Sequence, residues 1–156
     1  MRIIKLSEFE ITVRDETPED VQVIAAITRA AFEHHPFSRQ TEEFIVSALR
    51  RAGDLTLSLV ADLKGEVVGH VAFSPVDLGA AGSWFGVGPL SVRPDRQRRG
   101  IGKALMTEGL RLLRLRQAAG CVLVGDPDYY KQFGFSSFPG LPQKGGPRKT
   151  FRPPTF

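Results

Sequence analysis

A chain of 156 residues that is 42% hydrophobic can bury one substantial core without disulfides or metals. Its one cysteine, Cys121, excludes an internal bridge and sits in an apolar run, where it reads as a small buried hydrophobe rather than a nucleophile. The formal charge of +4 is a weak and uneven excess, concentrated past Asp128 in Lys131, Lys144, Arg148, Lys149 and Arg152, and does not make a nucleic-acid binder of the chain.

No apolar run reaches the ~18 residues of a membrane span. Met1-Arg2-Ile3-Ile4-Lys5 leads into Glu8 and Glu10 instead of the apolar core of an export signal. The expectation is a cytoplasmic protein with neither membrane nor nucleic acid as partner.

In chain order, Glu10 to Arg14 reads as a first strand, with Ile11 and Val13 alternating with polar neighbours. Thr17-Pro18-Glu19-Asp20 reads as a helix start, with Thr17 as cap, Pro18 at the first helical position and acids in the first turn. Val21, Ile24, Ala25, Ile27, Thr28, Ala31 and Phe32 then keep helical period up to His34-His35-Pro36. A second helix spans Thr41 to Ala52 and stops at Gly53. Leu55 to Asp62, Val67 to Val76 and Trp84 to Val92 are strands, the first two joined by the turn Lys64-Gly65. A helix from Gly100 to about Ala118 carries Ile101, Ala104, Leu105, Gly109, Leu112 and Leu113 on one arc, opposite Lys103, Thr107, Arg111 and Arg114, the last two expected to be merely solvated. Cys121 to Val124 returns as a strand, placed parallel to Trp84–Val92 by a right-handed crossover.

The most informative segment joins the third of these strands to the long helix: Arg93-Pro94-Asp95-Arg96-Gln97-Arg98-Arg99-Gly100-Ile101-Gly102-Lys103-Ala104. Gly100 and Gly102 lack a Cβ, so the amides of Arg98 through Lys103 can approach an anion, and the first-turn donors of a helix have no partner inside it. Arg96, Arg98, Arg99 and Lys103 surround this cradle with positive potential. A dinucleotide fold needs a third glycine where Leu105 stands, and a Walker loop needs a different glycine spacing. The cradle therefore suits a diphosphate of another kind.

Gln97-x-x-Gly100-x-Gly102 after an apolar strand resembles the Q/R-x-x-G-x-G/A signature of the GNAT N-acetyltransferase superfamily. Tyr130-Lys131-Gln132-Phe133-Gly134-Phe135 resembles the late Y-x-x-x-G-F element of the same superfamily. Leu57–Ala61, Val67–Val76 and Gly120–Tyr130 add a likeness to the small bacterial YhbS-like predicted acetyltransferases, and the resemblance covers about residues 11 to 139.

The resemblance implies a single α/β domain over 1–142, with a mixed, mostly antiparallel sheet whose central strands splay apart and helices on both faces. It implies acetyl-CoA as co-substrate, held by Leu90, Ser91, Val92, Gln97, Arg98, Arg99, Gly100, Ile101, Gly102, Lys103, Ala104 and Tyr130, with no metal. The backbone N–H of Leu90 would face the oxyanion, and the Tyr130 hydroxyl would protonate the leaving thiolate. Tyr129 reads as packing, since only one tyrosine can hold the motif position. The reaction implied is direct acetyl transfer to an amine, a small molecule or a peptide. A non-catalytic acyl-CoA sensor is the other reading of the same cradle, and a homodimer stays open.

On the acceptor side the candidates are His34, His35, His70 and Asp126, with Glu33 beside them, and no motif singles out a base. Past Phe138 the chain departs from the superfamily. Relatives complete the sheet with two further strands, whereas 143–156 is basic and rich in Pro and Gly, a composition that disfavours ladder pairing. Phe135 to Phe138 reads as one strand, and an irregular tail is expected after about Pro142.

Overall fold

The computed structural model describes residues 1–36, 38–137 and 149–152. Eight strands among these form one sheet in the order β1-β2-β3-β4-β5-β6-β8-β7. They are β1 (Arg2–Lys5), β2 (Glu10–Asp15), β3 (Leu57–Leu63), β4 (Glu66–Val76), β5 (Trp84–Val92), β6 (Gly120–Gly125), β7 (Ser136–Ser137) and β8 (Lys149–Arg152). Every pairing is antiparallel except β5 with β6. The helices are α1 (Val21–Phe32), α2 (Glu42–Ala52), α3 (Ile101–Leu115) and the four-residue α4 (Pro127–Tyr130).

Strand alternation sorts the core onto two faces. Leu57, Leu59 and Ala61 of β3 join Val71 and Phe73 of β4 beneath Ile101, Leu105, Met106 and Leu113 of α3. Val60 and Val67 point the other way, against Ile24 and Ile27 of α1 and Val46 of α2. Helices thus cover both faces. Gly109 lets α3 lie close to the sheet, because a Cβ there would run into the Phe73 ring.

Turns and caps follow local chemistry. Lys64 and Gly65 both take positive φ, 50° and 88°, the pair of left-handed residues that a tight hairpin requires. Ahead of α1 the Asp20 carboxylate accepts from the Thr17 N–H at 2.7 Å and from Arg14 Nη1 at 2.7 Å. The helix start is thereby tied to β2.

Two sequence expectations need correction. The tail after Pro142 is not irregular throughout: β8 pairs with Leu123, Val124 and Gly125 of β6 and with β7. Composition misleads there because Lys149-Thr150-Phe151-Arg152 lies between the glycine-proline and proline-proline stretches, and a strand of these four residues, paired with β6 on one side and β7 on the other, contains neither Gly nor Pro. Residues 138–148 and 153–156, which include the expected end of the Phe135 strand and most of the tail, lie outside the described residues. Second, Arg111 is not merely solvated. It donates to the buried Glu108 at 2.6 and 3.0 Å, and Arg2 approaches the same carboxylate at 3.6 Å.

Candidate active site

β6 changes partner halfway. Gly120, Cys121 and Val122 pair with Trp84, Phe85 and Gly86 of β5, but the next three residues, Leu123 to Gly125, pair with β8. The β5 edge from Val87 onward therefore has no β6 partner, and a wedge opens between the strands. Within it β5 carries a bulge: Val71 faces Leu90 and Phe73 faces Val87, so three steps on β5 match two on β4.

Hydrogen-bond alternation fixes which amides face the wedge. The Arg93 N–H donates to the Val68 carbonyl at 2.9 Å, and the register runs on through Val92 opposite Gly69, Ser91 opposite His70 and Leu90 opposite Val71. In an antiparallel ladder alternate residues turn both backbone groups toward the partner, so Ser91 bonds to β4 while Leu90 and Val92 turn theirs outward. Gln97 Nε2 donates to the Val92 carbonyl at 3.1 Å. Among the described residues, the outward groups left open are the N–H and C=O of Leu90 and the N–H of Val92.

The cradle follows directly. Arg98 and Gly100 both adopt left-handed backbone, with φ of 63° and 92°. For arginine that conformation is uncommon, and left-handed residues at a helix start are the kind of backbone that can turn successive N–H groups toward one anion. The Ala104 N–H already bonds the Gly100 carbonyl at 3.0 Å, so the free donors end at Lys103. Ile101 and Ala104 bury their side chains in the core and offer only backbone. Arg99 pairs with Glu8, whereas Arg98 and Lys103 are exposed and have no partner among the described residues.

Two tyrosines close the far side. Asp126 caps α4 by accepting from the Asp128 N–H at 2.9 Å, a use of its carboxylate that does not point to a base. The rings of Tyr129 and Tyr130 meet edge-on, with centroids 4.9 Å apart. Tyr130 packs over Gly125, where a Cβ would come within 2.5 Å of its ring, and meets Phe135 edge-on. Burial, with help from Tyr129 and Asp126, pushes its phenol up to about 12. It is held as a neutral donor. Tyr129 goes elsewhere: a Cβ on Gly102 would sit 2.7 Å from its hydroxyl oxygen and 3.8 Å from Leu90 Cδ2 and Val92 Cγ2. The hydroxyl thus reaches the mouth of α3 beside the open edge, a placement the motif spacing does not signal.

The histidines are not gathered at the wedge. His34 and His35 are exposed in the turn after α1, with the His35 ring 5.6 Å from that of Phe32. His70 is wholly buried on the α1 face, its Nε2 2.8 Å from Ser58 Oγ. Desolvation pulls it down to about 4, with Glu16 and Arg50 opposing each other as lesser influences. It is a neutral core residue. Cys121 is buried as well, and desolvation raises its thiol to about 12, as suits an inert hydrophobe. No group of three or more His, Cys, Asp or Glu among the described residues could hold a metal, and no helix among them is long and apolar enough to cross a membrane.

The model of the acetyltransferase (GNAT) family matches residues 21–135, a span that takes in the wedge, the cradle and both tyrosines. The chain belongs to the GNAT family. It is 42% identical to the uncharacterized N-acetyltransferase YhbS of Escherichia coli over 125 residues, 79% of this chain and 72% of that protein. A crystal structure of a GNAT acetyltransferase from Brucella melitensis in complex with acetyl-CoA is 47% identical, with a TM-score of 0.78 over 89% of this chain and 94% of that one. The structure of Escherichia coli YhbS in complex with CoA is 35% identical, with a TM-score of 0.75 over 91% of this chain and 81% of that one. The GNAT fold expected from the sequence, mixed and mostly antiparallel with helices on both faces, is the fold observed.

Proposed function

We propose that this GNAT protein transfers an acetyl group directly from acetyl-CoA to an amine acceptor while both are held in one groove. The observation that carries the reading is the junction of two features: the amides of Arg98–Lys103 at the left-handed turn into α3, and the β5 edge from Val87 to Val92 that has no β6 partner. A diphosphate suits the first, and the amide groups of a pantetheine arm suit the second, as an added strand. Acetyl-CoA has both in that order, and the relatives from Brucella melitensis and Escherichia coli carry acetyl-CoA and CoA.

Within this reading the chain's own groups take simple roles. The Leu90 N–H, turned into the wedge, stabilises charge developing on a carbonyl oxygen without any side chain. Tyr130, protonated throughout the physiological range, gives its proton to the departing thiolate and is reprotonated through solvent, which takes up the proton that the amine nitrogen sheds on becoming an amide. Holding both reactants in place supplies up to about 7 to 11 kcal/mol of the barrier, so no covalent enzyme intermediate is needed. His34 and His35 lie in the α1–α2 connection, on the acceptor side of this reading, and His70 is structural.

The test is a calorimetric titration with acetyl-CoA, followed by a screen of small amines and peptides for thiol release. Gly100→Asp should abolish binding, since a side chain there is strained at φ 92° and brings negative charge into the cradle. Tyr130→Phe should bind normally and turn over slowly. Tight binding with no acceptor turned over in a broad screen would favour a sensor instead.

A further inference from the structure

Tyr129 has no part in the motif that points to Tyr130, yet its hydroxyl occupies the more exposed position. Gly102 is the second residue of α3, within the turn whose N–H groups lack helical partners. The Tyr129 oxygen lies so near Gly102 that a methyl there would stand 2.7 Å from it. The second glycine of the signature therefore makes room for this tyrosine as well as for any anion. Nothing among the described residues hydrogen-bonds the hydroxyl, although the rest of the residue is fixed. Its ring meets Tyr130 and Phe133 edge-on at 4.9 and 5.7 Å, and its carbonyl accepts from Gln132 Nε2 at 2.8 Å. An immobilised phenol with an unused donor at a ring of free amides is poised for an anion. Desolvation raises its pKa, so it meets that anion as a donor and not as a phenolate.

We infer that Tyr129 is a diphosphate ligand: its O–H completes the amide cradle at the mouth of α3, while Tyr130 serves the thioester end of the same groove. The inference rests on the reading that acyl-CoA occupies the cradle. It adds a division of labour between two adjacent tyrosines, one for affinity and one for turnover. A packing residue would show no such division.

The experiment compares wild type, Tyr129→Phe and Tyr130→Phe in calorimetric titrations with acetyl-CoA and with adenosine 3′-phosphate 5′-diphosphate, the fragment that keeps the diphosphate and lacks the pantetheine arm. Loss of one hydrogen bond to a charged group is expected to weaken Tyr129→Phe binding of both ligands by about tenfold or more. Tyr130→Phe should bind the fragment as wild type does. Thermal melts of the free proteins check that the retained ring preserves the fold. A Tyr129→Phe protein that binds both ligands as wild type does overturns the inference and leaves the acyl-CoA reading intact. So does one that loses affinity for acetyl-CoA alone, which would put the hydroxyl on the pantetheine arm. Wild-type protein that binds neither ligand removes the acyl-CoA reading and the inference together.

Discussion

Ser58 Oγ lies 2.8 Å from His70 Nε2 on the α1 face of the sheet, and the same hydroxyl contacts the Glu16 carboxylate, which is also held by Arg50 at 2.9 Å. A carboxylate only accepts, so Ser58 donates to Glu16 and takes the Nε2–H of His70. That assigns the tautomer. The other ring nitrogen, Nδ1, carries a lone pair and is buried without a partner among the described residues. Protonating this ring in the folded state would put a charge in a site with little to solvate it.

A pH dependence follows. The folded pKa near 4 lies below the usual value near 6.5, so between those limits the unfolded chain binds a proton that the folded chain refuses. Stability from this group is complete above pH 6.5 and is lost as pH falls toward 4. At about 1.4 kcal/mol per pH unit, the loss is bounded at about 3 kcal/mol. Urea unfolding at pH 7.5, 6, 5 and 4.5 should show this slope, and His70→Gln should flatten it. An unchanged slope in the variant would mean that His70 titrates normally.

Asp20 adds a loss of the same sign at lower pH. The Arg14 guanidinium, joined by the Thr17 N–H, holds its carboxyl down to about 2, below the usual 3.8. Its contribution is present above pH 3.8 and disappears as pH falls through 2. Asp20→Asn should cost about 2 kcal/mol at pH 7, because the part-buried Arg14 loses a bidentate partner and keeps Asp62, at 3.3 Å, as its charged partner beside the Asp15 carbonyl at 3.1 Å. The penalty, read from denaturation midpoints, should shrink on acidification. A constant penalty down to pH 2.5 would point to lost capping alone.

Much of this architecture is legible in the sequence where a local physical rule is strong. Trp84–Val92 is found at both ends as expected, because Gly82-Ser83 before it and Arg93-Pro94 after it bracket an apolar run. The cradle is legible because two glycines, Gly100 and Gly102, punctuate a helix start directly after an apolar strand. The wedge is not readable from periodicity: it arises because β8 takes over the β6 edge at Leu123, a pairing between residues far apart in the chain. β1 escapes notice for a related reason. Arg2–Lys5 is a short edge strand with Ile3 exposed and only Ile4 packed on the core, so it has no clean alternation. The Tyr129 hydroxyl is equally invisible in one dimension, since its neighbours Gly102, Leu90 and Val92 come from two other elements.

Close approach of α3 to the sheet gives a prediction about packing. Gly109→Ala would drive a methyl into the ring of Phe73, which is fully buried and cannot swing aside. Overpacking of this kind costs about 1–3 kcal/mol. Phe73→Leu in the same protein should recover part of that loss by making room, giving a favourable coupling in a double-mutant cycle. If the two costs simply add, α3 and β4 are not in the contact described.

The sharpest consequence for the fold concerns β8. Ending the chain at residue 148 removes Lys149–Arg152 and leaves the Leu123–Gly125 edge of β6 without its ladder partner. Unpaired strand edges expose backbone donors and acceptors and invite association with other chains. The truncated protein should melt several degrees lower, exchange the amide hydrogens of Leu123 to Gly125 faster, and self-associate more readily. The Trp84–Gly86 pairing with Gly120–Val122 should keep its protection, because that half of β6 does not depend on β8. Protection that survives truncation along the whole of β6 would show that the strand holds the wedge open by itself, and that the last segment is dispensable to the groove.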